Sequence, residues 1–527
     1  MRGHDGTRRA ARGVPFLLRA ASVPVILALG GCASVGPDFK KPQAPISESW
    51  AAKNDPRIST QATSDSLWWK AFNDPALDRL IDLAYRQNLP LQVTGLRIVE
   101  ARAQLGVVTG RQWPQLQEAF ANVTAQRLST SEANIANLDT RFVDYQLGFD
   151  ALWELDFWGK YRRGVESAAD NVLASVASYD QALVSLSAEV ARTYTTIRTF
   201  EVLIALAREN ERVQQEGLQI AQSRFRNGAT SELDVAQATT LLESTRASIP
   251  KLQGGLQQAR NALSILLGQP PGMVAELLAG PQQIPQAPAT VAVGMPAELL
   301  RRRPDIRAAE LFAAAQCARI GVAKADLYPS FSLFGTIGLG AASGAGTEFS
   351  LGDGFFYSVG PRIRWPFFNY GRLENTVRVE DARFQQLLVS YRDTVIRAAQ
   401  EVEDALAGFL TAHEAAAFEQ GAVTAAQRSV ELSLVQYREG SVDYQRVLDA
   451  QRSLLQEQIN LAQTRSSVTT SLIAVYKALG GGWESRQGQP IVAEPTQAEM
   501  KDRTNWGDLL SEPSAPETKQ SPAPEKH

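Results

Sequence analysis

Histidine and cysteine are nearly absent from this chain: its 527 residues include three His and two Cys. A His/Cys metal cluster or a Cys–His catalytic pair has too little material to draw on, so no metal or cofactor is expected. Cys317 stands in an alanine-rich stretch and reads as a small buried apolar side chain, and no disulfide is expected. A glycine-rich phosphate loop and a nucleophile elbow are also missing. His413 lies in an Ala/Glu stretch and reads as a solvated residue, which leaves an enzyme the least supported class. Charge of one sign is lacking too. Lys and Arg number 53 against 56 Asp and Glu, so nothing points to nucleic acid. What positive excess exists is at the start: residues 1–31 carry five Arg and one Asp, net +4, which leaves −7 for the rest of a chain totalling −3.

What the chain does contain is one long stretch twice over. A shift of 212 positions lays Gly159-Lys160 on Gly371-Arg372, Phe225-Arg226 on Tyr437-Arg438, Gly228 on Gly440 and Leu267-Gly268 on Leu479-Gly480, without a gap. Apolar residues recur every seven positions in both copies. The first copy runs Val176, Leu183, Val190, Ile197, Ile204, breaks at Glu211, and resumes with Leu218 and Phe225. The second runs Leu388, Val395, Val402, Phe409, Ala416, Val423, Val430 and Tyr437. Past each glycine the period returns, as Val235 to Leu263 and Val447 to Val475. A seven-residue period is the coiled-coil pattern, so each copy reads as a long helix, a turn at Arg226-Asn227-Gly228 or Arg438-Glu439-Gly440, and a second helix. The first helix would be roughly 100 Å long. Such a helix spans a distance that no ordinary globular core requires.

The N-terminal arginines precede an apolar run, Ala20–Leu29, that is too short for a transmembrane helix and reads as an export signal. It ends in Leu29-Gly30-Gly31-Cys32, which resembles the bacterial lipoprotein box. That resemblance implies that Cys32 becomes the acylated first residue of the mature chain, and Ala33 in place of Asp favours the outer membrane. An extended polar lead-in follows, docked by Trp68-Trp69 and Phe72 ahead of a helix start at Asp74-Pro75. Pro75–Val108 and Arg303–Leu327 read as helices, stopped by Trp113-Pro114 and Tyr328-Pro329. Two segments of period two come after each. Tyr145, Leu147, Phe149, Trp153 and Leu155 alternate with polar residues, as do Phe331 to Leu339 and Tyr357 to Trp365, with a weaker pattern around Ala119–Arg127. Their length, about ten residues, fits a tilted membrane strand. Asp150, Glu154, Arg362 and Arg364 on the other face suit a wet lumen. Four strands cannot close a barrel, and an open sheet in lipid leaves backbone groups unpaired, so the chain must oligomerise. The loops near Ser129–Thr140 and Ala341–Gly352 would be external.

With these motifs together, the chain resembles the TolC-type outer-membrane efflux channels, in the lipid-anchored subfamily that works with resistance-nodulation-division pumps. The resemblance rests on Leu29-Gly-Gly-Cys32, Trp68-Trp69 through Asp74-Pro75, Asp156-Phe-Trp-Gly-Lys160, Leu299-Leu-Arg-Arg-Arg-Pro-Asp-Ile306, Tyr328-Pro-Ser330, Phe367-Phe-Asn-Tyr-Gly-Arg372 and Leu448-Asp-Ala-Gln-Arg452. It implies a mainly α protein with a membrane β-barrel: two internal repeats, four strands per chain, a homotrimer closing a twelve-stranded barrel, and a long coiled-coil helical tunnel. The divisions would be a lipoprotein signal peptide at 1–31, an equatorial segment at 32–74, repeats at 75–268 and 301–480 around an equatorial linker at 269–300, and a C-terminal equatorial segment with a disordered tail over 481–527. The Pro-, Ser-, Glu- and Lys-rich stretch from Thr496 is the expected tail. Implied partners are a periplasmic adaptor, an inner-membrane pump and outer-membrane lipid. The adaptor would dock at the tips, at Arg226, Gly228, Ala229, Arg438, Gly440 and Ser441. The periplasmic gate would be Asp234, Asp443, Gln445, Asp449 and Arg452, with Arg446 where some relatives carry another Asp. A lipid-anchored coiled-coil brace without a pore is the alternative.

Overall fold

The structure is a computed structural model and describes residues 34–43, 46–59, 65–131, 140–295, 302–343, 354–486 and 489–510. Cys32 and the export signal, residues 132–139 and 344–353 in the two strand-joining loops, and the tail from 511 lie outside these ranges. The chain forms two compact units. Of the described residues, one gathers those from 34 to 40, 104–169 and 314–385; the other holds those within 41–103, 170–313 and 386–510.

In chain order, β1 (Ile58–Ser59) precedes a 3-10 turn at Asp65–Phe72 that seats Trp68, Trp69 and Phe72 in the core. Trp68 stacks on Tyr476, ring centroids 5.3 Å apart. Asp74 then starts α1 (Pro75–Gln87), its carboxylate accepting from the Ala76 and Leu77 amides. The single helix expected over Pro75–Val108 is in fact two, α1 and α2 (Leu89–Gly110). Asn88 divides them. Its amide donates back to the Ala84 carbonyl, its Oδ1 accepts from Leu91 N at 2.8 Å, and its Nδ2 donates to the Leu266 carbonyl at 2.9 Å. One side chain thus ends one helix and caps the next, a break that hydrophobic period alone does not reveal.

β2 (Leu116–Arg127) and β3 (Arg141–Leu155) follow, then the first hairpin, α3 (Lys160–Arg226) and α4 (Glu232–Leu266). β4 (Val291–Ala292) pairs in parallel with β1. α5 (Pro304–Ala325) leads to β5 (Ser330–Ser343) and β6 (Phe355–Arg364), and the second hairpin is α6 (Arg372–Arg438) with α7 (Tyr444–Ala478). α3 and α6 are each 67 residues and begin 212 apart (372 − 160). α4 and α7 are each 35 and begin 212 apart as well (444 − 232). No described helix is long and apolar enough to cross a membrane.

The disordered tail expected from Thr496 needs correction. Residues from Glu494 form a helix, α8 (Glu494–Arg503), and Met500 and Leu510 are buried with Val99 and Val492. Few apolar residues suffice when a formed surface receives them, which is why average composition misjudged this segment.

In the first unit the four long strands make one antiparallel sheet, in the order β2-β3-β5-β6. Its register sets Glu118, Asp150, Thr336 and Ser358 side by side, and Ala119, Phe149, Ile337 and Tyr357 side by side one residue away. Neighbouring residues of a strand face opposite ways, so one face carries the charged and polar residues, with Phe120, Phe334 and Phe356 among them, and the other is mainly apolar. Thr336 donates to Asp150 at 2.6 Å on the polar face, where the register also puts Glu154, Arg362 and Arg364. Phe149, Tyr357 and Val359 on the apolar face are 65%, 70% and 76% exposed. β2 and β6 have one neighbour each, so among the described residues two sheet edges stay unpaired.

In the second unit most of the seven-residue positions are covered as their period implies, whereas Phe225 beside the first turn is exposed. Leu183, Val190, Ile197, Val395, Val402, Phe409, Val447, Leu454 and Val475 are all buried. Glu211, the break in the period, forms an ion pair with Arg246 of α4 at 2.9 Å, joining the two helices of the hairpin at their surface.

Candidate functional site

Each hairpin reverses at a glycine. Gly228 and Gly440 have φ of 71° and 79°, a conformation that side-chain-bearing residues resist, and both close the same six-residue cap. Ala229 N donates to the Arg224 carbonyl and Ser441 N to the Gln436 carbonyl, each at 2.9 Å. Arg226, Gly228, Ala229, Arg438, Gly440 and Ser441 are all exposed at these two turns.

Arg224 binds these turns to one another. Its guanidinium donates to the Tyr437 carbonyl at 2.6 Å and the Arg438 carbonyl at 3.3 Å, and to the Ala229 carbonyl of its own turn at 3.4 Å. The same group lies over the Tyr437 ring, 4.8 Å from its centroid. The Tyr437 hydroxyl in turn donates to Asp234 at 3.1 Å, and Thr230 donates to the same carboxylate oxygen. Tyr437 also meets Tyr444 edge to face at 5.2 Å. Leu218, Ala221, Leu242, Val447 and Leu448 pack behind. Burial pushes the Tyr437 phenol above its ordinary range, with the nearby Asp234 carboxylate adding to the shift against the Thr230 hydroxyl. Tyr444 is pushed up further, by burial first and then by Tyr437 and Asp234. Both phenols stay neutral at neutral pH.

Of the expected gate residues, the structure brings Asp234 into this clasp, half-buried and already engaged within the chain. Gln445 and Asp449 meet on α7, with the Gln445 amide donating to Asp449 at 2.9 Å and accepting from Gln237 at 3.5 Å. Asp443 heads α7 with its side chain exposed, and Arg446 and Arg452 are exposed as well. Among the described residues no ion pair joins Asp449 to Arg452. Sequence reasoning missed Arg224, Thr230 and Tyr444. A signal was present in the difference between the copies, because 212 positions on from Arg224, Thr230 and Asp234 stand Gln436, Val442 and Arg446.

The model of outer membrane efflux proteins matches residues 80–269 and 295–481, most of the chain. The chain belongs to the outer membrane efflux protein family. This efflux protein is 30% identical over 473 residues to the probable outer membrane lipoprotein SilC of Salmonella typhimurium, across 89% of its own length and 99% of the relative's. It is 32% identical to the probable efflux pump outer membrane protein TtgC of Pseudomonas putida, over 88% of this chain and 95% of that one. Among solved structures, the outer-membrane channel OprN superposes with a TM-score of 0.79 at 32% identity, over 86% of this chain and all of that one. CusC superposes at 0.73 with 28% identity, over 85% and 100%.

Proposed function

We propose that three copies of this efflux protein form the outer-membrane exit duct of a three-part pump. Their strands would close a twelve-stranded barrel, and their long helices would continue it as a periplasmic tunnel. Compounds such as drugs would arrive from an inner-membrane resistance-nodulation-division pump through a periplasmic adaptor and leave passively. The observation that carries this reading is the two-faced sheet with two open edges. An apolar face exposed at Phe149, Tyr357 and Val359 suits lipid, and a face bearing Glu118, Asp150, Glu154 and Arg362 suits water. In lipid the edges of β2 and β6 must be paired, and copies of the same chain supply the partner strands. A brace without a pore has no use for either face.

Acylation of Cys32 would add an anchor beside the barrel. The two glycine turns would receive the adaptor. The clasp of Arg224, Asp234 and Tyr437 would hold each chain's second hairpin against its first, keeping the tunnel end shut. Beside it Asp443 and Asp449 would stand in rings around the threefold axis, where carboxylates attract cations, with Arg446 and Arg452 limiting their repulsion. Mass measurement on the detergent-solubilised particle tests the assembly. Three chains are expected; a stable dimer would mean an eight-stranded barrel with a filled interior, and the duct reading would fail.

A further inference from the structure

The three phenylalanines on the polar face of the sheet each lie against a glycine of the neighbouring strand. Phe120 is opposite Gly148, Phe356 opposite Gly338 and Phe334 opposite Gly360. The first two fits are close. A Cβ on Gly148 would come within 2.8 Å of the Phe120 ring, and one on Gly338 within 2.8 Å of the Phe356 ring. The rings therefore lean across onto the next strand, where only a glycine leaves room for them, and all three stay partly exposed.

Phe334 shows what such a ring accepts. The Arg362 guanidinium lies over it, 4.7 Å from its centroid. Among the described residues no cation lies over Phe120 or Phe356. The surroundings of Phe120 nonetheless suit one. Glu118, two residues away on β2, shares its face and is opposite Asp150, so two carboxylates stand side by side in the row next to the ring. Like charges directly opposite one another weaken a strand pair. Thr336 donates to Asp150 at 2.6 Å, yet among the described residues no ion pair neutralises either carboxylate. The same row beside Phe356 holds the uncharged Thr336 and Ser358.

We infer that Phe120, Glu118 and Asp150 form a binding site for an organic ammonium cation. Carboxylates alone would attract any cation, hydrated metal ions included. The ring changes the preference, because an aromatic face draws a cation whose charge is spread over carbon and whose water is easily shed. Gly148 holds that ring in place beforehand, as Gly360 does for the ring under Arg362. That the site meets compounds leaving the cell rests on the duct proposed above; that it binds them does not.

Saturation-transfer NMR on the intact particle in nanodiscs of zwitterionic lipid tests it. Phenyltrimethylammonium is the probe, benzyl alcohol the neutral ring of similar size, and empty nanodiscs the blank. The cation should bind about fivefold or more tighter than the alcohol. Phe120→Leu keeps apolar bulk and removes the aromatic face, and Glu118→Gln removes one charge at an exposed position. Each should weaken binding of the cation about two- to fivefold, and Phe356→Leu should weaken it less than either. Should the leucine variant at Phe120 fail to assemble, Phe120→Met removes the same face on a flexible side chain. Equal binding of cation and alcohol overturns the site. So does cation binding that Glu118→Gln weakens and an intact Phe120 variant does not, since that describes a plain acidic surface. A particle that binds the cation as expected but passes no current in a planar bilayer counts against the duct and not the site.

Discussion

Tyr437→Phe removes one oxygen from the clasp between the hairpins. The lost bond is the 3.1 Å donation to the Asp234 carboxylate, and the ring's other contacts persist: Tyr444 edge to face at 5.2 Å and the Arg224 guanidinium at 4.8 Å. A hydrogen bond to a charged group contributes about 1.5–3 kcal/mol. Asp234 is half-exposed and keeps its bond from Thr230, so the lower end applies, about 1.5 kcal/mol for each chain. That is roughly a tenfold shift toward release in one chain, and roughly a thousandfold if three clasps release together. Global stability should fall by no more than this bond's contribution, because the packing around the ring survives. Single-channel recording in planar bilayers reads the effect as open probability, with thermal unfolding of the same sample as the control for folding. Asp234→Asn keeps an acceptor and loses the charge, so it should open the duct by a smaller factor. If Tyr437→Phe folds normally and its open probability equals that of the wild type, the clasp does not hold the tunnel shut.

Other consequences concern stability and docking. Asn88→Ala deletes the cap of α2 and the bond to the Leu266 carbonyl, and should destabilise the protein by about 1–2 kcal/mol in thermal unfolding. A loss near zero would mean that α1 and α2 do not need the residue that separates them. Alkaline pH should act through Tyr85 and Tyr194, whose phenols burial pushes up from 10.0 to about 12. The folded chain then holds these protons more tightly than the unfolded chain, so the stability they contribute is complete below pH 10 and is lost as pH rises to about 12. Ultraviolet titration that showed both ionising together with exposed tyrosines would refute this. Ala229→Trp and Ser441→Trp, at exposed turn positions, should restore drug susceptibility to cells while leaving particle abundance unchanged; full resistance in such cells would remove the turns from the docking surface.

The parts of the fold that were legible in the sequence are those governed by period and repetition. A seven-residue period fixes which side of a helix is covered, and Leu183, Val402 and Val447 are buried accordingly. A gapless offset of 212 fixes equal helix lengths, and Asp74-Pro75 and Tyr328-Pro329 mark ends through chemistry that acts within a few residues. The features that escaped depend on distant partners. Asn88 splits a helix partly by reaching Leu266, 178 residues away, and α8 is ordered by a surface that Val99 helps to build. Arg224 is an unremarked surface arginine until the second hairpin brings Tyr437 beneath it. Asp234 was legible as an important carboxylate, but its engagement by Thr230 and Tyr437 was not, because nothing local specifies a contact 203 residues along the chain.

Conductance of the purified particle in a planar bilayer bears most directly on the central claim, that this chain lines a passage. Discrete, long-lived current steps are predicted, blocked by trivalent cations added on the side of the helical turns and less well blocked in Asp449→Ala, which also raises the basal current. An intact particle that inserts and passes no current would contradict the account.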